Sequence, residues 1–252
     1  MRLCVAIPCF FKGKDVDFCD AIRRVAALGY DAVETYHWKS LDLSAVRKTL
    51  EETGVELLSI CTTEFKLTEP EFRSAFVEGV RESCEAARIL GVKRMITQVG
   101  KDTGMPREEQ HASIVAGLSA AAPILEAAGV TLMIEPLNTY VNHPGYYLWS
   151  SAEAFDIIKE VNHPNVKVIY DIYHQQVMEG NIIPTVLANL EHIAHLHGAG
   201  HPGRHELQYG ENDYRVILGA IDKAGYTGAM GLEYSPLLEP MESLRLAKEI
   251  YG

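Results

Sequence analysis

Two rhythms of apolar and polar positions alternate along the whole chain. Short apolar runs are followed by longer stretches in which apolar residues recur every three or four positions, the signatures of buried strands and amphipathic helices. Strands are expected at residues 3–7, 32–33, 55–60, 93–98, 130–135, 166–171, 192–197 and 228–233. Helices are expected at 17–28, 42–53, 71–90, 107–128, 150–161, 183–190, 214–224 and 239–250. Gly29, Gly54, Gly91, Gly129 and Gly225 each stand just past a helical stretch and directly before a strand, where a left-handed residue stops a helix. Ser150-Ser-Ala-Glu153 reads as a capping box. Eight strand–helix units with no break in composition predict an α/β fold, a single (β/α)8 TIM barrel over residues 1–252. An open doubly wound sheet is the runner-up, and neither a G-x-G-x-x-G nor a P-loop follows the first strand to support it.

Four of the expected strands end on a residue that could bind a cation. The fifth closes on Glu135, the sixth on Asp171, the seventh on His197 and the eighth on Glu233. Parallel strands put their carboxyl ends on one rim, so three carboxylates and an imidazole are expected to converge there. One such residue is most simply a locally paired strand end; four in succession point to a divalent metal. The donor set is hard and oxygen-rich, which favours Mn2+ or Mg2+ and leaves Co2+, Fe2+ or Zn2+ open. The longest connections, at 61–71, 138–149, 171–181 and 198–213, follow strand carboxyl ends, the side on which a barrel builds its active site.

Other residues fall on the same rim. His174 lies one short turn beyond Asp171. Arg204, in Pro202-Gly-Arg-His-Glu206, offers a fork of donors to substrate oxygens, with His205 beside it. Their structural alternative is a salt bridge within the loop. Asn138 opens a rim loop and is read as a further substrate contact. Glu34, Gln98 and His195 are read as residues behind the ligands, His195 sharing a strand face with His197; a hydrogen-bonded core histidine is the plain alternative. Tyr36, Trp38, Tyr146 and Tyr147 could wall the pocket or pack loops.

The net charge of −11 argues against nucleic acid as the main partner. Five cysteines without a C-x-x-C pair indicate reduced thiols rather than a disulfide framework. The opening residues, broken by Pro8, do not read as a signal peptide, and no run approaches the ~20 apolar residues of a membrane helix. A soluble, cytoplasmic protein with a small-molecule substrate and no membrane partner is expected.

The segments Glu135-Pro-Leu-Asn138, His143-Pro-Gly-Tyr-Tyr-Leu148, Tyr170-Asp-Ile-Tyr-His-Gln175, Pro202-Gly-Arg-His-Glu206, Gly210-Glu-Asn-Asp-Tyr214 and Gly231-Leu-Glu-Tyr234 resemble the hydroxypyruvate isomerase family of xylose-isomerase-like TIM barrels, which also include ketose 3-epimerases and endonuclease-IV-like enzymes. The resemblance implies that Glu135, Asp171, His197 and Glu233 bind the metal, that Glu135 and Glu233 form the acid/base pair, and that His174 and Arg204 contact substrate oxygens. It also implies a sugar or oxo-acid substrate, with homo-oligomers common among related barrels. Three features depart from it: His197, where those isomerases tend to carry Gln and the epimerases His; Ser235, where they tend to carry Lys; and the opening segment Ile7-Pro-Cys-Phe-Phe11. The expected chemistry is metal-dependent isomerisation through an enediolate. Ketose 3-epimerisation, endonuclease-IV-like metallohydrolysis and a non-catalytic barrel stand as the alternatives.

Overall fold

A computed structural model describes residues 1–11, 13 and 16–251, Tyr251 by its backbone alone; residues 12, 14, 15 and 252 lie outside the described set. Eight parallel strands close into a barrel in sequence order: β1 (Arg2–Ala6), β2 (Ala32–Glu34), β3 (Glu56–Cys61), β4 (Arg94–Thr97), β5 (Thr131–Ile134), β6 (Val166–Asp171), β7 (Ile193–Gly198) and β8 (Ala229–Leu232). Closure is made by β1 against β8, with Cys4 in register with Gly231. The helices form the outer layer: α1 (Ile7–Phe11), α2 (Phe18–Ala27), α3 (Leu43–Thr53), α4 (Arg73–Leu90), α5 (Arg107–Ala128), α6 (Ser151–Val161), α7 (Ile172–Met178), α8 (Ile182–Ala188), α9 (Tyr214–Lys223) and α10 (Pro240–Tyr251). The fold is the expected TIM barrel.

Local chemistry explains why the elements begin and stop where they do. Asp17, Asp42 and Asp213 cap α2, α3 and α9 by accepting backbone N–H groups of the first turn, which satisfies otherwise orphaned donors. All five glycines expected to stop helices have positive φ, from 63° at Gly129 to 88° at Gly225. The main core lies between barrel and helices, where Val33, Leu57, Met95, Leu132, Val168 and Leu196 meet Ile22, Val46, Val80, Leu118 and Ile158. α5 is the one described helix long and apolar enough to cross a membrane by length and composition. It packs between α4 and α6, with Ile114, Leu118, Ala121 and Leu125 buried, so its apolar stripe serves the barrel core.

Two short helices were not expected. Residues 7–11 form α1, whose Pro8 occupies the first turn, where a missing N–H costs nothing. The segment after Asp171, read as a loop, is α7, with Asp171 as its cap: Oδ1 accepts from the backbone of Tyr173 and His174. Asp171 therefore ends a strand and starts a helix in one step.

Candidate metal centre and substrate cavity

Glu135, Asp171, His197 and Glu233 converge on the carboxyl-end rim, each offering a ligand atom within 4.8 Å of the others. Around an ion with bonds of about 2.1 Å, ligand atoms lie up to ~4.2 Å apart, so the cluster is close to closed on an ion as it stands. His197 Nδ1 lies 2.9 Å from Glu233 Oε2 and 3.6 Å from Glu135 Oε1. Both Glu135 Oε1 and His197 Nδ1 are buried without a hydrogen-bond partner. Buried polar atoms are nearly always satisfied, and a divalent cation held by these four residues would satisfy both. The donor chemistry and the orphaned atoms fit a metal.

The electrostatics of the cluster are those of crowded anions. Burial pushes the Asp171 carboxyl up to about 7, with Glu233 and Glu135 adding to the rise and Arg204 and His197 opposing it. Burial and then the charge of Glu233 raise Glu135 as well. Burial would also raise Glu233, but Arg204 and His197 outweigh it and hold that carboxyl well below its usual range. Arg204 Nη2 lies 2.6 Å from Glu233 Oε2 and 3.4 Å from Asp171 Oδ2. Its backbone takes the left-handed conformation, φ 57°, which aims the side chain into the cluster.

Behind the cluster, Glu34 is fully buried. Its Oε1 lies 3.1 Å from His197 Nε2, and its Oε2 lies 3.1 Å from His195 Nε2 while accepting from Ser59 Oγ at 2.8 Å. Burial would raise this carboxyl, and the two imidazoles hold it well down. With Nε2 of His197 turned toward Glu34, Nδ1 is the nitrogen left for the cluster. Glu34 and His195 thus stand behind the four ligand candidates, while Gln98, grouped with them in the sequence reading, lines the cavity.

Above the cluster opens a cavity of about 530 Å3, lined by Glu135, Glu233, His174, Arg204 and Gln98, by His143, Tyr36, His37 and Lys39, and by the apolar Trp38, Phe65, Ile96 and Leu137. His174 has a defined tautomer. The Asn138 backbone N–H donates to its Nδ1 at 3.0 Å, so a neutral ring carries its proton on Nε2. Burial, and then the Arg204 charge, hold the ring neutral by lowering it well below the usual histidine range. Its Nε2–H is unpartnered, 3.4 Å from Asp171 Oδ2.

Asn138 and His205 do not line the cavity. Asn138 is buried behind His174: its Oδ1 accepts from Val141 and Asn142, which turns Nδ2 toward His174 Nδ1. His205 turns outward, its Nδ1 2.8 Å from the Ser235 carbonyl. Of the aromatics, Tyr36 and Trp38 wall the cavity. Tyr146 instead donates to the Glu135 carbonyl and Tyr147 to Glu153, so both hold loops. Tyr36, read only as a possible wall, also donates to Glu233 Oε1 at 2.6 Å. Two groups were given no role in the sequence reading: His143, whose ring lies 5.3 Å from that of His174, and Lys39, which lines the cavity. Of these, His143, inside a rim loop next to Pro-Gly, carried a readable signal.

The sequence profile of the xylose isomerase-like TIM barrel family matches residues 22–250. Hydroxypyruvate isomerase of Escherichia coli (strain K12) is 31% identical over 240 residues, covering 92% of this chain and 93% of its own. The 2-oxo-tetronate isomerase of Cupriavidus necator is 31% identical over 228 residues, covering 87% of each. Among solved structures, an AP endonuclease of family 2 from Brucella melitensis superimposes with a TM-score of 0.93 at 25% identity, covering 98% of each chain. The chain belongs to the xylose isomerase-like TIM barrel family, and its relatives make it an isomerase of that superfamily.

Proposed function

We propose that the protein interconverts an α-hydroxy aldehyde and the corresponding ketone of a sugar or oxo-acid type substrate, with Glu135 and Glu233 as the acid/base pair and Glu135, Asp171, His197 and Glu233 holding a divalent ion, Mn2+ or Mg2+ by the hardness of the donors. The observation that carries this reading is the closed cluster on the cavity floor, with Glu135 Oε1 and His197 Nδ1 buried and unpartnered. Its relatives' names, hydroxypyruvate and 2-oxo-tetronate isomerase, support the substrate type.

When bound, the ion supplies positive charge against the oxygens on which negative charge develops. The chain's own residues do the rest. A proton next to a carbonyl is weakly acidic; one carboxylate of the pair can remove it and return it to the neighbouring carbon, while the other carries the hydroxyl proton to the former carbonyl oxygen. Glu135, lifted by burial, and Glu233, held ionised by Arg204, have the opposed proton affinities that such an exchange needs. His174 presents a neutral Nε2–H donor, and Arg204 a charged one, to substrate oxygens. Trp38, Phe65, Ile96 and Leu137 keep that side of the cavity apolar and limit water at the planar intermediate.

Glu135→Gln and Glu233→Gln are each expected to lower kcat by at least ~100-fold, the usual worth of a positioned acid or base, while the fold survives. Near-native turnover in either removes that residue from the chemistry. Incubation in D2O with Mg2+ and a panel of hydroxy-ketones locates the labile carbon by NMR. Exchange at C1 or C2 that stops with chelator is the expected result; exchange confined to C3 makes the enzyme a 3-epimerase.

A further inference from the structure

The chain leaving β2 touches two of the four ligand candidates. Glu34, its last residue, reaches His197 from behind. Just beyond it the Thr35 N–H still donates to the Ser59 carbonyl at 3.2 Å, which carries the pairing with β3 past Glu34 and brings Tyr36 to the same side of the barrel. Tyr36 reaches Glu233, its hydroxyl donating to Oε1 at 2.6 Å.

The two oxygens of Glu233 have different neighbours. Oε2 faces the ligand cluster, 2.6 Å from Arg204 Nη2 and 2.9 Å from His197 Nδ1. Oε1 has the Tyr36 hydroxyl. The main chain of Glu233 is fixed on both sides: its N–H donates to the Gly198 carbonyl and its carbonyl accepts from Arg204 Nε, each at 3.2 Å. Rotation of the side chain is what remains, and the Tyr36 bond opposes it. An ionised carboxylate only accepts, so the hydroxyl proton is committed to Oε1. The Cys9 thiol, 3.4 Å from the Tyr36 oxygen, is left to donate to it. Cys9 stands on α1, in the opening segment that departs from the isomerase pattern.

We infer that Tyr36, braced by Cys9, is a positioning residue for the proton exchange: it holds Glu233 with Oε2 in the ligand cluster and Oε1 out of it, so that Oε1 takes the substrate's proton. This rests on the isomerase reading and adds which oxygen of Glu233 does the chemistry. A carboxylate oxygen has two lone pairs; Tyr36 uses one and the other remains for the substrate in the cavity that both residues line. The substrate C–H bond breaks, its proton joins Oε1, and its electron pair forms a C=C bond as the carbonyl π pair moves to oxygen. The same Oε1 returns the proton to the neighbouring carbon, while Glu135 carries the hydroxyl proton. Were both oxygens of Glu233 turned to an ion, neither would be free for this step.

Tyr36→Phe removes the hydroxyl and keeps the ring. With the substrate found in the D2O screen, kcat should fall ~10–100-fold, the cost of a misplaced catalytic group, with KM changed by less than about threefold. Metal selectivity reads the same rotation without turnover, because Ca2+ accepts a carboxylate through both oxygens whereas Mg2+ demands near-ideal octahedral geometry. By calorimetry, Tyr36→Phe should raise Ca2+ affinity relative to Mg2+ by about threefold or more, and the gain should vanish when Glu233→Gln is added. Cys9→Ala should shift both readouts the same way by a smaller factor, with Cys9→Ser restoring them, and it carries the test if Tyr36→Phe does not fold. Wild-type kcat in Tyr36→Phe, a rise in KM alone, or an unchanged Ca2+/Mg2+ ratio overturns the inference; a silent Cys9→Ala strikes Cys9 from it. A wild type that binds Mg2+ but exchanges no proton with any hydroxy-ketone sinks the isomerase reading instead, and the Ca2+/Mg2+ ratio then decides alone whether Tyr36 directs Glu233.

Discussion

Asp171 divides its two oxygens between structure and chemistry. Oδ1 accepts the first N–H groups of α7, while Oδ2 faces Arg204 Nη2 and His174 Nε2. Such a cap ordinarily favours the ionised carboxyl, yet burial prevails and lifts this one to about 7. Glu135 is raised for the same first reason. A carboxyl whose folded pKa is raised holds its proton over a pH range in which an exposed one has lost it. A cation must displace that proton, so its apparent affinity is full above the folded pKa and falls below it. We expect Mg2+ affinity to drop by at least about tenfold for each pH unit below ~7, with more than one proton released on binding. His197, which burial would lower but Glu34 and Glu233 raise well above the usual histidine range, must also give up a proton to bind. Calorimetry at pH 6 and 8 in buffers of different ionisation enthalpy checks both. An affinity flat across that range removes Asp171 from the ligand set. The same shift makes the metal-free protein relatively more stable as pH falls from above 7 toward the ordinary carboxylate range, because the proton is bound more tightly in the folded state than in the unfolded one.

β2 and β7 stand three places apart around the closed barrel, separated by β8 and β1, and Glu34 joins them through two imidazoles. The pairing leaves His197 with Nε2 toward Glu34 and Nδ1 toward Glu135 and Glu233, the arrangement in which a carboxylate orients a metal-binding ring. Glu34→Gln keeps the shape and removes the charge. It should cost 10–100-fold in Mg2+ affinity and lower Tm by several degrees, since one member of a buried charge cluster goes missing. Unchanged affinity would mean that His197 does not present Nδ1 to the ion. This network was legible only in outline. Strand ends were readable because parallel strands have one rim, and His195 and His197 because two residues apart share a face. The contact from His195 to Glu34 spans 161 positions, and no local pattern reports it. α7 was missed because its cap is also a strand end, so Asp171 was read in one role alone. Asn138 was placed near the substrate by its position after Glu135-Pro-Leu, but its amide is used to hold the loop and His174. Ser235 and, from the opening segment, Ile7, Pro8, Cys9 and Phe11, which stood out as departures from the isomerase pattern, turn out to line one cavity.

At the scale of the whole molecule, the barrel interior is layered. A lower layer of Cys4, Ala32, Leu58 and Ala229 is small and apolar, and Ile96, Met133 and Ile169 form a second apolar group. Barrel interiors are ordinarily filled by bulky branched side chains. Here the space beneath the rim holds Glu34, His195 and His197 instead, and something must make room for them. Gly231 does so. It pairs in register with Cys4 on β1 and with His197 on β7, and a Cβ built on it would overlap Glu34 Oε1 and approach His197 Cδ2 to 2.6 Å. Nothing in its φ demands glycine, since it is absent from the positive-φ residues; the demand is for volume. Gly231→Ala should therefore act on the site through packing. Because both neighbours belong to one buried network, the added methyl cannot be absorbed by a free side-chain end, and overpacking of this kind costs about 1–3 kcal/mol. For a chain of this length that corresponds to a fall in Tm of several degrees. Mg2+ affinity should fall alongside, since His197 is pushed from the ring position that Glu34 sets. A variant that melts lower but binds Mg2+ as tightly as the wild type would show that the packing around Glu34 and the geometry of the four ligands are independent. A joint loss would show that closing the barrel at β8 and building the metal centre depend on the same few atoms.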